Sequence, residues 1–127
     1  MQGLCMVLPL MKKGSQQKAE TLEEARKFRG SKYVQSYNGF SYSEIGKELK
    51  KGKKVLFIGT PCQIAGLKAY LGKASDALVT IDLICHGTPP MSYLEEYIKE
   101  IAGAEKVDRV SFRGEKDYHM VFYSQDR

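Results

Sequence analysis

The sequence predicts an α/β fold, a parallel-sheet core of βαβ units with helices on its faces. Three observations carry that reading. Two short apolar runs, Val55–Ile58 and Leu78–Ile84, have the composition of buried strands. Between them lies Gln63–Leu71, an amphipathic segment with Ile64, Leu67 and Leu71 on one helical face and Gly72 as its stop. The same unit of strand, Gly/Pro turn and helix then recurs, with Cys62 in the first turn and Cys85 in the second, 23 residues apart. Such short connections call for right-handed crossovers between parallel strands.

The remaining elements follow in order. Residues 3–11 are apolar with no basic stretch before them, which argues for a buried strand, or a segment cut from a longer protein, rather than a signal peptide. Thr21 and Glu24 form a capping box that opens a helix with Leu22, Ala25 and Phe28 on one face and Gly30 at its end. Tyr33–Tyr37 is rich in strand formers. Ser41 and Glu44 read as a second capping box, with Tyr42, Ile45 and Leu49 inward and Gly52 closing the helix. Ser92–Ala102 is a helix with Leu94, Ile98 and Ile101 inward and Glu95, Glu96, Lys99 and Glu100 outward. Val107–Phe112 and Tyr118–Tyr123 can form a C-terminal β-hairpin. With 127 residues and no linker-like stretch, the chain reads as one α/β domain spanning 1–127.

Composition narrows the class. Hydrophobic residues make up 43% and charged residues 28%, as in globular domains. No apolar run approaches the ~20 residues of a membrane helix, so no membrane span is expected. Three cysteines do not make a secreted disulfide framework, which points to the cytoplasm and reduced thiols. The net charge of +5 is uneven: residues 1–54 hold 12 Lys+Arg against 5 Asp+Glu (+7), residues 55–127 hold 8 against 10 (−2). Lys47, Lys50, Lys51, Lys53 and Lys54 fit a solvated helix end and turn better than a nucleic-acid surface.

The two turns hold the candidate chemistry. Cys62 follows Thr60-Pro61 at a helix start, where backbone N–H groups and the helix dipole favour a thiolate. That position suits a metal ligand, a nucleophile or a redox thiol; the plain alternative is a small residue buried under the turn. Cys85 adjoins His86 and Gly87. His86 can pair with Cys62 across the strands or donate to a cofactor, or it can bond to backbone at a strand end. Asp82, if it faces inward, needs a partner. Gly59 and Gly87 precede Thr60-Pro61 and Thr88-Pro89-Pro90, and glycine permits close approach of a ligand. Arg29-Gly30-Ser31-Lys32-Tyr33 can hold a phosphate, or it is a helix stop with solvated charges. The P-loop, Gly-x-Gly-x-x-Gly, Cys-x-x-Cys and zinc-finger patterns are missing. A phosphatase Cys-x5-Arg loop is missing too, since Lys68 and Met91 stand where its arginine would be.

Three blocks together carry a resemblance. They are Arg29–Ser36, Gly52–Lys68 with its Gly-Thr-Pro-Cys-Gln core, and Asp82–Pro89. The sequence around them, roughly residues 18–113, resembles the coenzyme F420 hydrogenase/dehydrogenase beta-subunit family. That resemblance implies a flavoprotein with FAD and a 4Fe–4S cluster. Such proteins pass electrons between an iron–sulfur or hydrogenase/dehydrogenase partner subunit and an organic acceptor such as a deazaflavin. It further implies that Cys62 and Cys85 ligate the cluster or line the flavin, with Cys62 and His86 catalytic. Gly59, Thr60, Pro61, Gln63, Gly87, Ser31 and Lys32 would complete the cofactor contacts.

Members of that family are usually more than twice as long, so the chain reads as a central fragment, inactive alone. Its three cysteines fall short of the four thiolates of such a cluster, so cluster and FAD are expected to be absent or incomplete. Two other readings stay open. One is a non-catalytic module that binds a partner subunit through its basic N-terminal half, with homo-oligomerisation a further option. The other is a thiol-dependent protein without flavin, with Cys62 as nucleophile.

Overall fold

Along Lys54–Gly59 the side chains alternate between buried and half-buried, with Val55 and Phe57 fully inside. This strand is the centre of a computed structural model that describes residues 3–6, 16–26, 28–30, 33–102, 107, 109–114 and 117–124. The elements are β1 (Gly3–Met6), β2 (Lys18–Ala19), α1 (Leu22–Arg26), α2 (Ser41–Lys50), β3 (Lys54–Gly59) and α3 (Pro61–Leu71). They continue with β4 (Leu78–Asp82), α4 (Met91–Ala102), β5 (Arg109–Ser111) and β6 (Val121–Tyr123). β1 through β4 form one sheet in the order β2-β1-β3-β4, in which β1, β3 and β4 run parallel and β2 antiparallel. The expected pairing of the two apolar runs holds: Val55 lies beside Leu78 and Gly59 beside Asp82, joined through α3. The C-terminal hairpin is present as β5 paired antiparallel with β6. No helix among the described residues is long and apolar enough to cross a membrane.

Ile45 of α2 and Ile64 and Leu67 of α3 close over Val55 and Phe57, with Tyr42, Leu49, Leu71 and Leu78 around them. Both helices therefore cover the same face of the sheet. Right-handed crossovers that step in one direction, β1 to β3 to β4, require this. A second, smaller cluster gathers Val34, Leu94 and Phe112, with Met91 and Ile98 against it.

Several local expectations change. Tyr33–Tyr37 is not a strand; only Tyr37 makes an isolated bridge, its carbonyl accepting from Gln16 N–H at 3.1 Å. The segment lies across the loops instead of joining the sheet. Thr21 and Glu24 do form their capping box, with Glu24 N–H donating to Thr21 Oγ1 at 3.2 Å. Ser41 does not cap α2: the N-cap is Phe40, and the Ser41 hydroxyl donates to Gln16 Oε1 at 2.7 Å. Leu22 and Ile101, assigned to inward faces, are largely exposed.

The lysines around Gly52 do more than solvate a helix end. Glu48, buried on α2, is held by Lys51 Nζ at 2.9 Å, by Lys53, and by Lys18 Nζ at 3.9 Å. Hydrogen bonds from Lys53 and then Lys51 pull its carboxyl down to a pKa of about 2, against 4.5 for the free group. A depressed carboxylate stabilises the fold above its unfolded pKa, and that contribution disappears as pH falls through the folded one. Stability should therefore decline between pH 4.5 and about 2, and Glu48→Gln should flatten that decline while lowering stability near neutrality. Urea midpoints of both proteins across this range decide the matter; parallel curves would exonerate Glu48.

Candidate functional site at the strand ends

Both cysteine turns lie just beyond the carboxyl ends of β3 and β4, the edge where open α/β sheets bind ligands. At the first, Thr60 is the extended N-cap of α3, and Pro61 occupies a first-turn position where its missing N–H costs nothing. Cys62 is exposed, its Sγ 3.2 Å from Thr60 Oγ1. A Cβ at Gly59 would lie 2.9 Å from Gln63 Oε1 and 3.1 Å from Phe57 Cε1, so a side chain there would have to displace the Gln63 amide.

Gln63 is the hub of this turn. Its Oε1 accepts from Thr60 N–H at 3.0 Å, and its Nε2 donates to Ser36 Oγ at 2.6 Å and Asn38 Oδ1 at 3.2 Å. Its carbonyl accepts from the Tyr42 hydroxyl at 2.8 Å, which in turn accepts from Asn38 Nδ2 at 2.8 Å. Burial, and then the electrostatic effect of nearby Cys62, push the Tyr42 phenol above its ordinary range, so it stays a neutral donor.

At the second turn Cys85 is also exposed, and its Sγ accepts from Gly87 N–H at 3.3 Å. Gly87 has φ +108°, which a side chain would strain, and open space where a Cβ would stand. The Pro89 carbonyl accepts from Gln35 N–H at 3.0 Å, and Leu83 N–H donates to the Gly59 carbonyl at 2.9 Å. Segment 35–38 thus bonds to both turns, bringing together parts of the three sequence blocks singled out above.

Other candidates fall differently. His86 is exposed and makes no hydrogen bond to a described residue. Asp82 is exposed, so it needs no buried partner. Ser31 and Lys32 lie outside the described residues. Among the described residues no group of three or more His, Cys, Asp or Glu converges to hold a metal ion.

A cleft of about 640 Å³ adjoins the second turn through Pro89. Tyr33, Tyr93, Tyr97, Tyr118 and Phe112 line it, together with Val34, Leu94, Met120 and Arg113. Arg113 Nη2 donates to the Tyr33 hydroxyl at 2.6 Å, and its guanidinium lies 5.1 Å from the Tyr118 ring centre. Sequence reasoning missed this cleft. Its walls come from four separate segments, and eight tyrosines in 127 residues were the only signal.

Fold and site define an α/β module with one exposed thiol at the end of each of two adjacent parallel strands. Residues 52–127, more than half of the chain, match the family model for the C terminus of the coenzyme F420 hydrogenase/dehydrogenase beta subunit. The chain belongs to that family. A chain of the F420-reducing NiFe hydrogenase complex from Methanosarcina barkeri, from a xenon-derivatization structure, shares the fold with a TM-score of 0.60 at 17% identity. The match covers 95% of this chain and 47% of that one, so this chain spans about half its length. No curated protein matches.

Proposed function

We propose that this chain is the flavin-facing α/β core of an oxidoreductase subunit, with Cys62 and Cys85 lining the flavin site. The assembly would pass electrons between an iron–sulfur partner subunit and an organic acceptor, in the cytoplasm. The observation that carries the reading is the convergence of segment 35–38 and the two cysteine turns at one edge of the sheet. FAD fits the groups present: Gly87 leaves open backbone for a ring or phosphate, and both thiols are accessible. Bound flavin would supply the electron transfer. The chain's own residues would orient it: Gln63 and Thr60 fix the first turn, Gly87 sets the second, and His86 offers an exposed imidazole to the ring.

A 4Fe–4S cluster does not fit the described residues alone. Such a cluster takes four thiolates, and only two thiols, Cys62 and Cys85, are described, with no third ligand beside them. The organic acceptor is proposed to stack in the tyrosine-lined cleft. Its volume suits a small-molecule site, and Arg113 offers a guanidinium to an acidic group.

Alkylation tests the flavin site. Iodoacetamide should label Cys62 and Cys85 readily in the free chain, and saturating FAD should slow both by several-fold, followed by peptide mass spectrometry. Equal rates with and without FAD would remove these thiols from the flavin site.

A further inference from the structure

The two edges of the sheet differ. On one side β2 closes β1 with a two-residue antiparallel strand bearing Lys18, a short charged edge of the kind that discourages further pairing. On the other side β4 is the last strand among the described residues, and it carries no Lys, Pro or bulge. Its backbone polarity follows from two bonds: Leu83 N–H donates to the Gly59 carbonyl, and the Ala77 carbonyl accepts from Val55 N–H. Odd-numbered residues therefore direct their main-chain groups to β3, and Thr80 and Asp82 direct theirs outward.

The side chains alternate as well. Val79, Ile81 and Leu83 are 57%, 46% and 46% exposed. They stand on the face opposite Phe57, which α2 and α3 leave uncovered. Parallel strands are ordinarily covered on both faces, and apolar edges with free main-chain groups are templates for another strand.

We infer that β4 pairs antiparallel with β4 of a second copy of this chain, about a two-fold axis through Ile81. In this register the strand is complementary to a second copy of itself. Val79 lies opposite the partner copy's Leu83, Ile81 opposite its own equivalent, and Leu83 opposite Val79, joining the two apolar stripes on one face. On the other face Thr80 lies opposite Asp82, so a hydroxyl donor meets each carboxylate and no two carboxylates meet. The outward N–H and C=O groups of Thr80 and Asp82 then bond reciprocally. The Ile81 pair falls at a non-hydrogen-bonded position, where the strands approach most closely. A two-fold axis normal to the sheet keeps the faces matched and closes the assembly at two copies.

Light scattering over a concentration series tests this on the whole chain. The chain should have twice its monomer mass of 14.3 kDa. Ile81→Lys, which sets two ammonium groups face to face on the axis, should halve that mass with an unchanged circular dichroism spectrum. Should Ile81→Lys unfold the chain, Ile81→Cys decides: oxidised with diamide, it should give a disulfide linking residue 81 to residue 81. A monomer at every concentration overturns the inference. So does a dimer that survives Ile81→Lys, a disulfide joining residue 81 mainly to Cys62 or Cys85, or a different protein bound at this edge.

Discussion

Phe57→Ala should lower the unfolding free energy by about 3–5 kcal/mol, the range for deleting a buried phenylalanine. Phe57 is fully buried at the middle of β3, touching the residues that α2 and α3 bring to the core. Its ring also meets Tyr42 edge-on at 6.2 Å, a pairing worth a fraction of a kcal/mol to about 1.5 beyond area. A domain of this size has a total stability of only about 5–15 kcal/mol, so at the low end of that range the variant should be partly unfolded at room temperature. Urea unfolding followed by circular dichroism measures it, with Leu22→Ala as a reference because Leu22 is 70% exposed. A loss below about 1 kcal/mol would mean that the core does not close around β3.

Gln63→Ala should cost about 1–3 kcal/mol, because it strips Thr60 N–H of its acceptor and removes both donors to segment 36–38. Cys62→Ser, at the neighbouring position but exposed, should shift stability by no more than about 0.5 kcal/mol. The contrast separates the two roles: Gln63 builds the turn, and Cys62 is displayed by it. Thermal or urea midpoints of the two variants would show it, and equal losses would make the thiol structural.

What the sequence disclosed is set by where its signals are local. β3, α3 and β4 were legible because composition and periodicity within each segment specify them, and Gly72 marks the stop with φ +69°. The two cysteine turns were legible for the same reason. Tyr33–Tyr37 was misread because strand propensity describes a half-buried pleated surface, and tertiary bonds to Gln63 and Pro89 took the segment elsewhere. Ser41 was misread because its spacing to Glu44 is that of a capping box, and nothing local reveals Gln16 competing for the hydroxyl. The Glu48 cluster draws on Lys18, 30 positions upstream, and the aromatic cleft on four segments, so neither leaves a periodic trace.

The cleft has an optical consequence. The chain contains no Trp, so its ultraviolet emission comes from eight phenols, and four of these, Tyr33, Tyr93, Tyr97 and Tyr118, line that one cleft. A planar chromophore stacked among them would drain their excitation by energy transfer over a few ångströms. Occupancy of the cleft is therefore readable in unlabelled protein as quenching of phenol fluorescence. The quenching should weaken stepwise as those four tyrosines are replaced by phenylalanine and stay unchanged when Tyr70 is.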